Sequence, residues 1–229
     1  MNRPRTRIKI CGIRDPADAA YAAEAGADAI GVNFHKPSPR YVDVDRARAI
    51  VDAVPPFVAT VGLFVDVSAD AIRRALDIVP LTMLQLHGDP DYETAAFCAQ
   101  FGRPYLKALR VRPGVDLLQS FGRYRGAAGI LVDAYRPGVP GGTGETFDWD
   151  LLPRQRDVRL VLAGGLTPDN VAVAIRRVRP WAVDVSSDVE STPGVKDRAK
   201  IARFIDAVRE ADEDDDTVDA IGGRRVGAA

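Results

Sequence analysis

The chain has 229 residues, 46% of them hydrophobic and 28% charged, so it can bury a substantial core and is not disordered throughout. Its 31 basic and 32 acidic side chains give a formal net charge of −1, which excludes a global field that attracts nucleic acid or an anionic membrane. No apolar run approaches the roughly 18 residues of a membrane span. Two cysteines, Cys11 and Cys98, make no disulfide framework, so we expect a reduced, cytoplasmic protein.

Short apolar strands and helices alternate along the chain. A β-branched strand at 8–13 is followed by a helix over 15–25, in which Asp15 is the cap, Pro16 opens the first turn and Gly26 ends the helix. The same spacing of apolar residues predicts the later elements. Further strands are expected at 29–34, 58–65, 83–88, 105–111, 129–133, 160–165 and 182–186, and further helices at 44–54, from Ser68 to Val79, at 91–101, at 115–121, after Thr167 and around 201–208, with a short segment at 147–152.

This alternation predicts an α/β fold, a single-domain (βα)8 barrel. Eight strand–helix units follow one another at intervals of about 20 to 30 residues without a linker, which fits a barrel better than an open doubly wound sheet. A G-x-G-x-x-G fingerprint after the first strand is missing, which disfavours dinucleotide binding. We place the barrel at residues 1–210. The acidic and glycine-rich sequence of 211–229 has no period and no apolar face, and predicts a disordered tail.

Two side chains at predicted strand ends could carry acid–base chemistry, since active sites of barrels lie at the C-terminal ends of the strands. Cys11 ends the first strand, with Lys9 on the same face, and its thiol could be a base or nucleophile once deprotonated, or a small apolar filler. Asp133 ends an otherwise apolar strand, where a carboxylate is costly to bury. It is therefore a candidate general acid or base, with a loop cap as the alternative.

The loops after strands seven and eight are suited to bind a phosphate. Gly164 and Gly165 let backbone N–H groups approach an anion just before a helix, and Ser186 and Ser187 add hydroxyl donors. Paired glycines alone could merely turn the chain. Their position beside the two serines on the neighbouring strand favours an anion site.

Three other polar residues are candidates for ligand contact. Arg40 lies in a proline-stiffened loop and suits two-pronged recognition of a carboxylate. Gln85 and His87 share the inner face of strand four. Contact with a ligand and packing inside the barrel are equally favoured roles for these two side chains. The two histidines, His35 and His87, have no Cys or His partner at ligand spacing, so we expect no metal site.

Seven segments, in order through about 200 residues, resemble one family, the phosphoribosylanthranilate isomerases of tryptophan biosynthesis. Any one segment is weak evidence for the family, but a chance match of all seven in the same order is implausible. They are Lys-Ile-Cys-Gly at 9–12, Ser-Pro-Arg-Tyr at 38–41, Leu-Gln-Leu-His-Gly at 84–88, Leu-Val-Asp at 131–133, Gly-Gly-Thr-Gly at 141–144, Ala-Gly-Gly-Leu at 163–166 and Asp-Val-Ser-Ser at 184–187.

The resemblance implies an Amadori rearrangement of N-(5-phosphoribosyl)anthranilate to 1-(2-carboxyphenylamino)-1-deoxyribulose 5-phosphate, without cofactor or metal. By analogy Asp133 is the general acid on the ring oxygen, and Cys11 the general base at the adjacent sugar carbon. Arg40 would pair with the anthranilate carboxylate. The other substrate-binding residues implied are Lys9, Gln85, His87, Gly142, Gly144, Gly164, Gly165, Asp184, Ser186 and Ser187.

One position departs from the family pattern. Where the family reads Ser-Ser-Gly-Val-Glu, this chain has Asp188 after the two serines. A carboxylate there predicts weaker phosphate binding, and Asp is less suited than Gly if the backbone needs a positive φ.

Two other functions stay open from the residues alone. Lys107 on strand five could form an imine in a Schiff-base aldolase. A phosphate-binding barrel that has lost its chemistry is conceivable because of Asp188. In each case the partner is a small molecule. We expect the protein to be a monomer, with a dimer as the alternative, because the predicted helices show no decisive apolar patch.

Overall fold

The computed structural model describes residues 4–112, 114–134, 147–154 and 156–222. Eight parallel strands close into a barrel in sequence order, and β1 pairs with β8 to complete the circle. The predicted single-domain (βα)8 barrel is confirmed. The strands are β1 Arg7–Cys11, β2 Ala29–Asn33, β3 Ala59–Phe64, β4 Met83–Leu86, β5 Tyr105–Val111, β6 Gly129–Ala134, β7 Leu160–Leu162 and β8 Ala182–Val185.

Helices cover the outside of the barrel, and several begin at the caps expected from the sequence. Asp15 accepts a hydrogen bond from the Ala17 N–H, and Gly26 ends the first helix at φ 116°. No helix within the described ranges is long and apolar enough to cross a membrane. The helices are α1 Pro16–Ala25, α2 Val44–Asp52, α3 Ala69–Ile78, α4 Ala95–Ala99, α5 Leu117–Arg123, α6 Val171–Val178 and α7 Arg198–Gly222, with 3-10 turns at Trp149–Leu151 and Ser187–Val189 and a hairpin of β9 Glu190–Thr192 and β10 Val195–Lys196.

The two faces of the barrel wall have different surroundings. On β5, Leu106 and Ala108 belong to a small apolar cluster inside the barrel, whereas Tyr105 and Leu109 belong to the large cluster between the strands and the helices. Successive side chains of a strand point to opposite faces. Odd-numbered residues of β5 therefore face the helices, and even-numbered residues face the interior.

The last helix is longer than the sequence suggests. The sequence predicts that the barrel domain ends at residue 210 and that 211–229 is a disordered tail, but α7 continues to Gly222. Ala211 is buried, and the Asp212 carboxylate accepts hydrogen bonds from the backbone N–H and the hydroxyl of Thr6. These contacts tie the helix to the start of β1, so the boundary at 210 is too early. Residues 223–229 lie outside the described residues.

The Lys107 side chain is on the wrong side of the wall for a Schiff base. It faces the helices, is fully buried, and its Nζ contacts the Glu93 carboxylate at 2.5 Å and the Gly88 carbonyl at 2.8 Å. An amine enclosed there cannot meet a carbonyl substrate at the mouth of the barrel. The aldolase hypothesis therefore has no structural support. Glu93 also explains why α4 begins at Ala95 rather than near 91, since Glu93 turns inward and Thr94 becomes the cap.

We expect Glu93→Ala to destabilise the fold by about 3–5 kcal/mol, because it leaves the Lys107 charge buried without its partner. Urea unfolding measures the loss. The matched control is Glu93→Leu combined with Lys107→Met, which removes both charges and should recover most of the stability. A loss below about 1 kcal/mol for Glu93→Ala would contradict the structural role of the pair.

Candidate active site

The two proposed catalytic groups meet at the C-terminal mouth of the barrel. Cys11 ends β1 and Asp133 lies near the end of β6, and both are largely buried. They line one cavity of about 190 Å³ together with Asp184, Gln85 and His87. The fold thus brings together residues that are far apart in the sequence, in the arrangement expected for a barrel enzyme.

A buried ion pair lies beside the Cys11 thiol. Lys9 Nζ is 2.9 Å from Asp184 Oδ1, and both side chains are almost completely buried. Burial lowers the pKa of Lys9, but the charges of Asp184 and Cys11 outweigh it and bring the pKa to about 12. Burial raises the pKa of the Cys11 thiol, and the positive charge of Lys9 opposes that rise. Lys9 is therefore charged at neutral pH and stabilises the thiolate form.

The Asp133 carboxyl is set up to hold a proton. Burial, with the charge of Asp184 as a second cause, raises its pKa to about 6. Its Oδ1 accepts a hydrogen bond of 2.8 Å from the Ala134 N–H, which fixes the orientation of the group. A carboxyl with a pKa near neutrality can both give and take a proton under physiological conditions.

His87 is a neutral neighbour of this carboxyl. Burial, with the charges of Arg110 and Lys107, lowers its pKa to about 3. Gln85 Nε2 lies 3.3 Å from His87 Nδ1, so with the amide nitrogen as donor the imidazole proton is on Nε2. That nitrogen is 3.5 Å from Asp133 Oδ2, too far for a good hydrogen bond. Gln85 and His87 thus both lie at the cavity, as the ligand-contact hypothesis requires.

Two glycines make room for Cys11 and Asp133, the proposed catalytic groups. A Cβ on Gly31 would lie 2.9 Å from Cys11 Sγ and 3.2 Å from Lys9 Nζ. Gly164 has φ 82°, and a Cβ there would lie 2.7 Å from Asp133 Oδ1. Sequence reasoning missed Gly31, although a glycine inside a strand indicates a close approach of another group.

The residues of the proposed phosphate loops form a corner next to Asp133. Gly164, Gly165, Ser186 and Ser187 line a small cavity of about 50 Å³ that shares Asp133 and Asp184 with the larger one. Ser186 Oγ donates a hydrogen bond of 3.1 Å to the Cys11 carbonyl, so its hydroxyl is held in place there. The two other glycines implied by the resemblance, Gly142 and Gly144, lie outside the described residues.

Asp188 is less disruptive than the sequence suggests. It lies in a right-handed 3-10 turn, so the strain of a positive φ does not arise. Its carboxylate accepts a hydrogen bond of 2.8 Å from Ser187 Oγ. This bond occupies one hydroxyl that was expected to serve the phosphate, and weaker phosphate binding stays a prediction.

Arg40 lines the cavity, but its guanidinium is already paired with Glu190. Its Nε and Nη2 donate to the two carboxylate oxygens of Glu190 at 2.8 and 2.9 Å. Glu190 is held in turn by Lys196 Nζ at 2.8 Å and the Gly194 N–H at 3.0 Å. The role of Arg40 as partner of the anthranilate carboxylate stays a prediction, and this network is a feature that sequence reasoning missed.

A buried carboxyl and a buried thiol at one cavity, beside a corner built of glycines and serines, are the arrangement expected of a (βα)8-barrel enzyme of acid–base chemistry. The family model described as N-(5'phosphoribosyl)anthranilate (PRA) isomerase matches residues 8–207. The chain belongs to this family.

Similar proteins agree with this assignment. An N-(5'-phosphoribosyl)anthranilate isomerase of Pseudomonas aeruginosa is 56% identical over 212 residues, which are 93% of this chain and 99% of that protein. A solved structure of monomers generated from the dimeric enzyme of Thermotoga maritima is 38% identical, with TM-score 0.78 over 90% of this chain and 99% of that one. A PRA isomerase solved with reduced 1-(o-carboxyphenylamino)-1-deoxyribulose 5-phosphate is 37% identical, with TM-score 0.75 and the same coverage.

We expect Asp133→Asn to stabilise the protein at pH 8. The folded pKa of about 6 lies above the ordinary 3.8, so the folded protein loses stability as the pH rises through 6, by up to about 3 kcal/mol. Asparagine carries no such charge. Urea unfolding should show the gain at pH 8 and its disappearance near pH 4, whereas exposed Asp77→Asn should have little effect at either pH. Equal stability of Asp133→Asn and wild type at pH 8 would contradict the claim that the ionised Asp133 carboxylate destabilises the folded protein.

Proposed function

We propose that Cys11 and Asp133 carry out the PRA isomerase reaction of this protein, an aldose–ketose isomerisation in tryptophan biosynthesis. The observation that carries the proposal is their juxtaposition, buried, at one cavity in a chain of this family. Asp133 gives its proton to the ring oxygen as the bond from that oxygen to the anomeric carbon breaks, which leaves an iminium. The Cys11 thiolate then takes the proton from the adjacent carbon, and the electron pair forms an enolamine, which tautomerises to the ketone.

The surroundings of each group support its role. The raised pKa of Asp133 keeps a proton available to the leaving oxygen. The charge of Lys9 favours the thiolate of Cys11 without supplying a competing base. Because the steps move only protons within one molecule, we propose that the reaction needs no cofactor and no metal.

The substrate would lie across the barrel mouth. We propose that its phosphate occupies the corner of Gly164, Gly165, Ser186 and Ser187, which places the sugar between Cys11 and Asp133. Two solved relatives inform ligand binding and oligomeric state. One is a complex with reduced 1-(o-carboxyphenylamino)-1-deoxyribulose 5-phosphate, and the other consists of monomers generated from a dimeric enzyme. For this chain a monomer, the alternative dimer and the cytoplasmic location stay predictions.

Turnover of freshly generated phosphoribosylanthranilate, followed by the loss of anthranilate-type fluorescence, tests the roles. Cys11→Ala and Asp133→Asn should each lower kcat by about a hundredfold or more, the scale of a lost acid or base. Cys98→Ala is the matched control, since that thiol lies in α4 away from the cavity. A folded wild type without turnover would favour a phosphate-binding barrel that has lost its chemistry. Retention of activity in Cys11→Ala would remove the proposed base.

The two pKa shifts also determine how activity depends on pH. The reactive form needs Asp133 protonated and Cys11 deprotonated, although the pKa of Asp133 is about 6 and that of Cys11 lies above its usual range. The reactive form is therefore a minority at every pH. Its fraction rises with pH up to about 6, stays level between the two pKa values, and falls above the pKa of Cys11.

We expect kcat/KM to rise about tenfold per pH unit below about 6 and then to stay level into the alkaline range, because kcat/KM reports the free enzyme. Steady-state kinetics from pH 4.5 to about 10 measure the profile. Lys9→Met should raise the pKa of Cys11 further, because the thiolate loses its neighbouring positive charge. The level region of the profile should then extend to higher pH, and kcat/KM within that region should be lower. A steady climb between pH 6 and 8 in the wild type would contradict the assignment of the acid to Asp133.

A further inference from the structure

Lys107 and Glu93 form a buried ion pair behind the barrel wall that the proposed mechanism does not use. Both side chains are almost completely shielded from solvent, and Lys107 Nζ lies 2.5 Å from Glu93 Oε2. Replacing such a pair by apolar residues of similar volume is often neutral or stabilising, because both charges lose their hydration on burial. Stability alone therefore does not explain why two charged side chains are enclosed here.

Both charged groups bind backbone atoms at the end of β4. Lys107 Nζ donates to the carbonyls of Leu86 and Gly88 at 3.3 and 2.8 Å. Glu93 Oε2 accepts a hydrogen bond of 2.9 Å from the Gly88 N–H. The pairing of β4 with β5 ends at Leu86 and Lys107, so Gly88 lies beyond the ladder. An apolar pair would fill the same space but would not bind these backbone groups.

His87 is the residue that these bonds enclose. On either side of it a backbone carbonyl is bound by Lys107, and its own N–H donates to the Phe64 carbonyl of β3 at 2.9 Å. Its side chain lies on the other side of the wall, in the cavity that Asp133 lines. The buried pair thus fixes the backbone of a residue whose imidazole belongs to the candidate active site.

Glu93 also binds the loop after β3. Its Oε1 accepts a hydrogen bond of 3.3 Å from the Asp66 N–H, and Asp66 has φ 49°, a conformation that is uncommon outside glycine. The Asp66 carboxylate in turn accepts a hydrogen bond of 2.7 Å from the Asp89 N–H. A Cβ on Gly88 would lie 2.5 Å from Glu93 Oε1, so glycine is needed for this close approach. One carboxylate therefore holds the loops after β3 and β4 together.

Tyr124 holds the pair from the helix side. Its hydroxyl donates to the Glu93 backbone carbonyl at 3.0 Å, and the centre of its ring lies 5.8 Å from Lys107 Nζ, within the range of a cation–π contact. Tyr124 is itself fully buried. The pair is thus fixed from the helices as well as from the strands.

We propose that Lys107 and Glu93 are positioning residues, which act from behind the wall to hold the His87 imidazole beside the general acid Asp133. The inference rests on the proposed function, because it takes Asp133 as the acid of the isomerisation. His87 Nε2 is 3.5 Å from Asp133 Oδ2 and has no hydrogen-bond partner among the described residues. Its N–H therefore donates to the substrate oxygen that receives the proton from Asp133, provided that the imidazole is held in place.

A double-mutant cycle on turnover tests whether the pair acts through His87. Glu93→Leu combined with Lys107→Met removes both charges, and urea unfolding measures its stability. We expect its kcat to fall about 10- to 100-fold with a smaller change in KM, the scale of a catalytic group displaced by about 1 Å. His87→Ala should lower kcat by a similar factor. In the His87→Ala background the pair substitutions should change kcat by no more than about twofold, because the imidazole is no longer there to be positioned.

Thr60→Val combined with Thr82→Val is the matched control. These hydroxyls also bridge β3 and β4 through backbone groups, since Thr82 Oγ1 accepts from the Thr60 N–H at 2.9 Å and Thr60 Oγ1 from the Thr82 N–H at 3.1 Å. They lie at the N-terminal end of the strands, away from the mouth, so kcat should stay at the wild-type value. If the pair variant does not fold, Glu93→Gln, which keeps the shape of the side chain, takes its place in the same cycle.

Each outcome decides between positioning and a purely structural role. Wild-type kcat in a folded pair variant would overturn the inference. Losses that multiply when the pair variant and His87→Ala are combined would also overturn it, since the pair then acts independently of the imidazole. An equal loss in the threonine control would overturn it as well, because it indicates a general loosening of the barrel. A folded wild type without turnover would instead overturn the proposed function, and this inference with it.

Discussion

The ion pair of Lys9 and Asp184 is the interaction on which the rest of the site depends. The two residues are register partners on β1 and β8, the strands that join the beginning and the end of the barrel. The same pair that helps to close the sheet thus carries a positive charge to the Cys11 thiol. A charge buried this deeply is stable only with its partner in place, so the positive charge beside the thiol depends on the pairing of β1 with β8.

The site keeps two buried ionisable groups, Cys11 and Asp133, and burial raises the pKa of both. The Cys11 thiol is neutral in its dominant form at neutral pH, but the Asp133 carboxyl is ionised above about pH 6 and then costs stability. Glycine at 31 and 164 leaves space for these groups where a Cβ would collide with them. The same burial that costs stability gives a carboxyl able to transfer protons near neutral pH, which is the usual trade between stability and activity.

Two arginines, Arg40 and Arg110, have different surroundings. Arg40 is joined to Glu190, which Lys196 also binds, so this network fastens the β2 loop to the chain after β8. Arg110 has no such partner on its Nε among the described residues. The sequence favoured Arg40 for the carboxylate because its loop is stiffened by prolines, but a loop position does not reveal a competing partner 150 residues away.

The sequence by itself determined the barrel, its strand order and the two catalytic candidates, because the period of apolar residues and polar groups at strand ends are local signals. It placed the end of the domain wrongly, since the bond from Thr6 to Asp212 joins residues 206 apart. Only the tertiary structure decided that Lys107 faces the helices and that Arg40 pairs with Glu190. The physical reason is that strand phase, burial and charge partners depend on contacts between distant segments, which local pattern does not encode.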